Sequence, residues 1–97
     1  MKNQNTTEVI PKEKVSHLHF PLQDVLAETS KRAERARMLH RATGLGNLER
    51  RKVHIIFEDR DGLKEVYTTI WAVNRGRVVL KEGRMIPTHR VHAVRIE

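Results

Sequence analysis

Between Leu22 and Ala42 the apolar residues return every three or four positions. Leu22, Val25, Leu26, Thr29, Ala33, Ala36 and His40 lie on one stripe, which Leu39 and Ala42 widen. That period marks a helix with one buried face. The other side carries Lys31, Arg32, Glu34, Arg35 and Arg41. Pro21 suits a first helical turn, where a missing N–H costs nothing. Asp24 and Glu28 fall toward the positive end of the helix dipole; Arg35, Arg37, His40 and Arg41 fall toward the negative end. The spacing predicts a helix from Pro21 to about Thr43, capped by Gly44 in the left-handed conformation.

After Gly46 the period falls to two. Val53, Ile55 and Phe57 alternate with His54, Ile56 and Glu58, which predicts a strand. Asp59-Arg60-Asp61-Gly62 supplies hairpin chemistry. A β-rich run from Glu65 to Val73 follows, then a turn at Asn74-Arg75-Gly76, a short strand from Arg77 to Lys81, a turn at Glu82-Gly83, and a strand over Arg84-Met85-Ile86. Pro87 cannot donate to a ladder and halts that strand. Val91 has the opposite parity to Val94 and Ile96, so one straight strand cannot bury all three. A helical turn across Thr88-His89-Arg90 resolves the conflict and lets the last strand run from about His92 to Ile96.

These elements predict a mainly β fold with one N-terminal α-helix: a small, five-stranded, antiparallel SH3-like barrel, whose closure removes exposed strand edges. Val53, Ile55, Phe57, Ile70, Val78, Leu80, Val94 and Ile96 form the expected core, with Leu22, Val25 and Leu26 of the helix. Residues 1–20 are polar and show no period, and read as a flexible arm with local contacts at Val9-Ile10-Pro11 and His17-Leu18-His19-Phe20. Residues 21–97 form the single domain.

The order helix, four strands, one helical turn, last strand resembles that of Sm-like proteins. The stretch from Arg84 to Val94 resembles the second Sm motif, especially its bacterial host-factor-Q form. His89 falls at that family's histidine, while Pro87 and Thr88 stand where Tyr and Lys would be. The eukaryotic Arg-Gly is missing, and the first motif's Asp-x-x-Met-Asn is reduced to Asn74-Arg75-Gly76. The chain also resembles short bacterial proteins ending in Ile-Pro-x-His-Arg, a likeness that brings no function with it. The Sm-like resemblance implies a homo-oligomeric ring, paired here through strands 84–86 and 92–96. It also implies RNA bound near the pore, by Asn74 and Arg75 in one turn and His89 and Arg90 in the other.

Charge sharpens that reading. The chain has 97 residues, no cysteine and a formal net charge of +7, which makes a polyanion the natural partner. Arginine binds phosphate with a planar fork, and Lys31, Arg32, Arg35 and Arg41 on the helix form a secondary basic face. Aromatic residues are few, so contact with the nucleic-acid backbone is expected over base readout. The alternative is a protein-interaction or assembly module without nucleic acid.

Catalysis is not expected. Ser16 and Ser30 lack a nucleophile-elbow context, and Glu58, Asp59 and Asp61 sit at a hairpin tip. The pairs His17/His19 and His89/His92 lack the further donors that zinc needs. No metal or other cofactor is expected. Cysteine is absent and no apolar run reaches the roughly 20 residues of a membrane span, so no membrane partner and a cytoplasmic location are expected.

Overall fold

The computed structural model describes residues 6–97. It contains one α-helix and seven strands in two sheets. The strands are β1 (Glu8–Val9), β2 (Val53–Asp59), β3 (Gly62–Thr68), β4 (Ile70–Asn74), β5 (Arg77–Leu80), β6 (Met85–Pro87) and β7 (Val91–Arg95). The helix α1 spans Thr29–Glu49, and short 3-10 turns cover Lys12–His17, Lys81–Gly83 and Thr88–Arg90. One sheet has the order β1-β3-β2-β7 and the other β4-β5-β6.

The expected closed barrel is therefore corrected to two open sheets. The predicted run from Glu65 to Val73 divides at Thr69, between β3 of the larger sheet and β4 of the smaller. α1 packs against both β4 and β7, the facing edges of the two sheets, while the Lys12–His17 turn touches β3 and β6 on the other side. Helical segments thus fill gaps that strand pairing leaves open. Strands of three to five residues along these edges are too short to close the cylinder themselves.

β2 follows the alternation of its sequence, with Val53, Ile55 and Phe57 fully buried. Ile70, Val78, Leu80 and Val94 join them as expected, while Ile96 only packs at the margin. The parity conflict at Val91 has two structural answers. The 3-10 turn at Thr88–Arg90 is present, and β7 also carries a bulge: Ile56 pairs with Ala93 but Phe57 pairs with Val91. His92 is the extra residue, and Val91 and Val94 both reach the core.

The segment read as a flexible arm packs on the core from Glu8 onward. β1 runs parallel to β3, and Ile10 donates its N–H to the Glu65 carbonyl at 2.9 Å. Ile10 and Val15 are buried, and the Phe20 ring lies 6.1 Å from that of Phe57. Thr7, Ile10, Val15, Leu18 and Phe20 are spread at irregular intervals, because turns and a 3-10 segment, not one regular element, present them. Residues 1–5 of the expected arm lie outside the described residues.

The helix starts and ends later than its sequence suggests. Leu22 is 91% exposed, and residues 21–28 are irregular. Their backbone groups find partners elsewhere: the Val25 N–H reaches the His89 carbonyl at 2.9 Å, and the Leu26 N–H reaches Asp24 Oδ1 at 2.8 Å. At the other end Gly44 lies inside α1, and Arg50 takes the left-handed position, φ 54°. The inward stripe is Arg35, Leu39, Ala42 and Gly46, while Ala33, Ala36 and His40 face solvent. Gly46 allows the close approach to β4: a Cβ there would collide with the Ile70 carbonyl oxygen and lie 3.0 Å from Thr69 Cγ2.

Candidate nucleic-acid interface

The two turns that carry the Sm-like resemblance do come together. The Thr88 N–H donates to the Gly76 carbonyl at 2.9 Å, and Arg77 pairs with Pro87 across β5 and β6. Asn74 and Arg75 are exposed at the β4–β5 turn, with Arg75 in the left-handed region, φ 49°. Their neighbours across the turn are different. His89 is half-buried and Nε2 donates to the Pro21 carbonyl at 3.0 Å. Arg90 is buried, donating from Nε to the Glu58 carbonyl at 3.0 Å and from a terminal nitrogen to the Gln23 carbonyl at 2.7 Å. Arg90 thus clamps the irregular 21–28 segment onto β2.

The helix face divides in the same way. Arg35 is buried and meets the Asp24 carboxylate through two hydrogen bonds, of 2.9 and 2.8 Å, with a third to the Val91 carbonyl at 3.1 Å. The Arg35 hydrogen bond holds the Asp24 carboxyl at about 2, well below the usual range, against the opposing effect of burial. Arg32 donates to the Leu26 carbonyl at 2.7 Å and lies 3.5 Å from Asp24. Lys31 and Arg41 remain exposed, with no carboxylate within 4 Å among the described residues.

The other charged clusters are also internally paired. Lys64 and Asp59 form a buried ion pair at 3.0 Å, with Glu8 at 3.5 Å from the same ammonium. Burial pulls the Lys64 pKa down, but the two carboxylates outweigh it, so the ammonium is held above the usual lysine value. The Asp61 N–H caps Asp59 Oδ1 at 3.1 Å, which makes the carboxylates at this hairpin turn-forming and core-pairing groups. An open cavity of about 400 Å³ lies between Pro21–Val25, Glu58–Arg60 and Arg90, but Asp24, Asp59 and Arg90 on its wall are already engaged. His92 Nε2 pairs with Glu58 at 2.8 Å, and His54 sits between Glu65 and Glu97 at 2.8 Å from each. Among the described residues no three His, Asp or Glu side chains converge to hold a metal ion. No helix of the described residues is long and apolar enough to cross a membrane.

The residues best placed for an external anion are ones the Sm-like resemblance passes over. Arg37 and Arg41 lie one turn apart on the side of α1 opposite the buried stripe, and both are exposed. Where the helix ends, Arg50, Arg51 and Lys52 form a second group of exposed cations. Leu48, 86% exposed, stands between the two groups. The available signal was the run Arg50-Arg51-Lys52 itself, which reads as the entry to a strand until the helix is extended to Glu49. Comparison with family models, with curated proteins and with solved structures finds no match in any of the three.

Proposed function

We propose that this chain binds nucleic acid through backbone phosphates, using the outer side of α1 and the α1–β2 junction. One observation carries the reading: the basic residues separate into two sets. Arg35, Arg90 and Lys64 are buried against carboxylates, and Lys12, Arg32, Arg60, Arg84 and Arg95 lie within 4 Å of one. Lys14, Lys31, Arg37, Arg41, Arg50, Arg51, Lys52, Arg75, Arg77 and Lys81 have no such partner among the described residues, and six of these ten lie on α1 or directly after it. Unpaired positive charge is thereby densest along α1 and the α1–β2 junction, with Lys14, Arg75, Arg77 and Lys81 standing elsewhere. From Arg37 to Arg50 that stretch extends about 20 Å at the helical rise.

Unpaired arginines on a convex helix suit the flexible backbone of a single strand, with contacts that carry no sequence information. Asn74 and Arg75 contribute at the β4–β5 turn, whereas His89 and Arg90 act by holding that end of the fold. The Sm-like homo-oligomeric ring belongs to the same proposal, joined through β6 and β7. Light scattering at micromolar concentration tests it, and a stable monomer removes the ring.

The central test is fluorescence anisotropy with a short single-stranded RNA at two salt concentrations. Binding is expected at low salt and should weaken steeply as salt rises. Absence of binding at low salt overturns the proposal in favour of a protein-assembly module.

A further inference from the structure

The smaller sheet has one face on the core and one face uncovered. Ile70, Val78, Leu80 and Ile86 point inward and are fully buried. On the opposite side Ala72, Val79 and Met85 stand directly across from one another, forming an apolar row over all three strands. The β4 register shifts between Ile70 and Ala72, and Trp71 is the extra residue. Trp71 is 46% exposed and Met85 48% exposed. Cations bracket the row: Arg77 lies at one end of β5 and Lys81 just beyond the other, both exposed and without a carboxylate within 4 Å among the described residues. The nearest acid in sequence, Glu82, is shared between Lys12 at 3.3 Å and Arg84 at 3.7 Å.

We propose that this face docks an extended acidic segment of a partner protein, with a bulky apolar side chain seated on Trp71, Val79 and Met85 between two carboxylates. Arg77 and Lys81 are four residues apart, roughly 13 Å along a strand. In an extended partner, side chains on one face recur every second residue. The complementary pattern is therefore acid–x–apolar–x–acid. Trp, Met and Arg together are the composition of interface cores. A nucleic-acid strand suits the row less well, because beside the single Trp71 ring Ala72, Val79 and Met85 offer neither stacking nor hydrogen bonds.

A second copy meeting this row with its own row would set Arg77 and Lys81 against like charges. Two stretches of the chain do have the required spacing, Asp24–Leu26–Glu28 and Asp61–Leu63–Glu65. Both are engaged: Asp24 holds Arg35, and Glu65 holds His54. The occupant is thus a different protein, and the inference stands apart from phosphate binding on α1.

Trp71 is the only tryptophan in the chain, so its fluorescence reports on this face alone. The experiment titrates the full chain with an acetylated nonapeptide, Ser-Thr-Glu-Thr-Leu-Thr-Glu-Thr-Ser, and with the same peptide carrying Lys in place of both Glu. A saturable blue shift with the acidic peptide alone is expected at or below about 1 mM. Arg77→Ala combined with Lys81→Ala should weaken it about tenfold, the effect of two exposed ion pairs. Both residues are exposed, so circular dichroism should show an unchanged fold. Three results overturn the proposal: no shift with the acidic peptide, an equal shift with the Lys peptide, or a concentration-dependent shift without peptide, which would assign the face to a second copy. A shift given by single-stranded RNA, and not by the peptide, would assign it to nucleic acid.

Discussion

Arg35 and Asp24, eleven residues apart, meet as a planar fork on a carboxylate, with N···O distances of 2.9 and 2.8 Å. The same guanidinium donates to the Val91 carbonyl at 3.1 Å. One side chain therefore fastens three parts of the fold: the irregular segment before α1, α1 itself and the start of β7. Arg90 does the complementary work, joining Gln23 and Glu58 from the turn before β7.

Arg35→Ala leaves the Asp24 carboxylate without its partner and should destabilise the chain by about 3 kcal/mol, the usual loss when one side of a buried pair is removed. Urea unfolding at neutral pH checks this. Asp24→Asn should cost about 2.5 kcal/mol, because a folded pKa of about 2 lies a little under two units below the unfolded value and each unit is about 1.4 kcal/mol. An acid with a depressed folded pKa binds its proton more readily when unfolded. Its contribution is complete above pH 4 or so and disappears as the pH falls through about 2. The stability difference between the native chain and Asp24→Asn should close over that window.

The two helical glycines should respond with opposite sign. Gly44 lies inside α1 with no atom near an added Cβ, so Gly44→Ala should stabilise by up to about 1 kcal/mol, the helix-propensity difference. Gly46→Ala drives its methyl into the Ile70 carbonyl and should destabilise by about 1–3 kcal/mol, as overpacking does. Thermal unfolding of the two variants side by side separates these effects.

Val15→Ala tests whether the N-terminal segment belongs to the core. Val15 is 1% exposed and packs with the main cluster. Losing two buried carbons should cost about 1.5–2 kcal/mol. Phe57→Ala should cost about 3–5 kcal/mol. Equilibrium denaturation measures both, and an unchanged midpoint for Val15→Ala would detach residues 8–20 from the core.

Arg37→Ala with Arg41→Ala should weaken single-stranded RNA binding for all sequences alike. The slope of log affinity against log salt should fall by about 0.7 for each phosphate that is no longer neutralised. Asn74→Ala with Arg75→Ala should have a smaller effect, since these residues stand at a separate turn. Anisotropy titrations over a salt series decide between the surfaces. Equal weakening by both pairs would make the turn a full part of the interface.

Local pattern was enough wherever a residue's role depends on its immediate neighbours. The alternation in β2 placed Val53, Ile55 and Phe57 in the core, and Asp-Gly marked the β2–β3 hairpin. The clash of parity at Val91 foretold the 3-10 turn at Thr88–Arg90. The same reasoning misplaced the helix. Leu22 and Pro21 fit a helical stripe, yet the backbone of 21–26 makes longer-range bonds to His89 and Arg90 that a helix would forgo. Gly44 reads as a stop, but packing of Gly46 on Ile70 extends α1 past it. The motif residues divided for a related reason: sequence shows that Arg90 and Arg35 are cations, but only their surroundings turn them inward.

By itself, then, the sequence determined the strand periods, the turns and the excess of positive charge, because each follows from neighbouring residue types and composition. The tertiary structure decided that α1 and the N-terminal segment fill the gaps between two open sheets. It also decided which arginines are fastened to carboxylates and which face solvent. For the buried Arg35 and Arg90 the outcome depends on partners 11 to 67 residues away, and such pairings are fixed only when the whole chain packs.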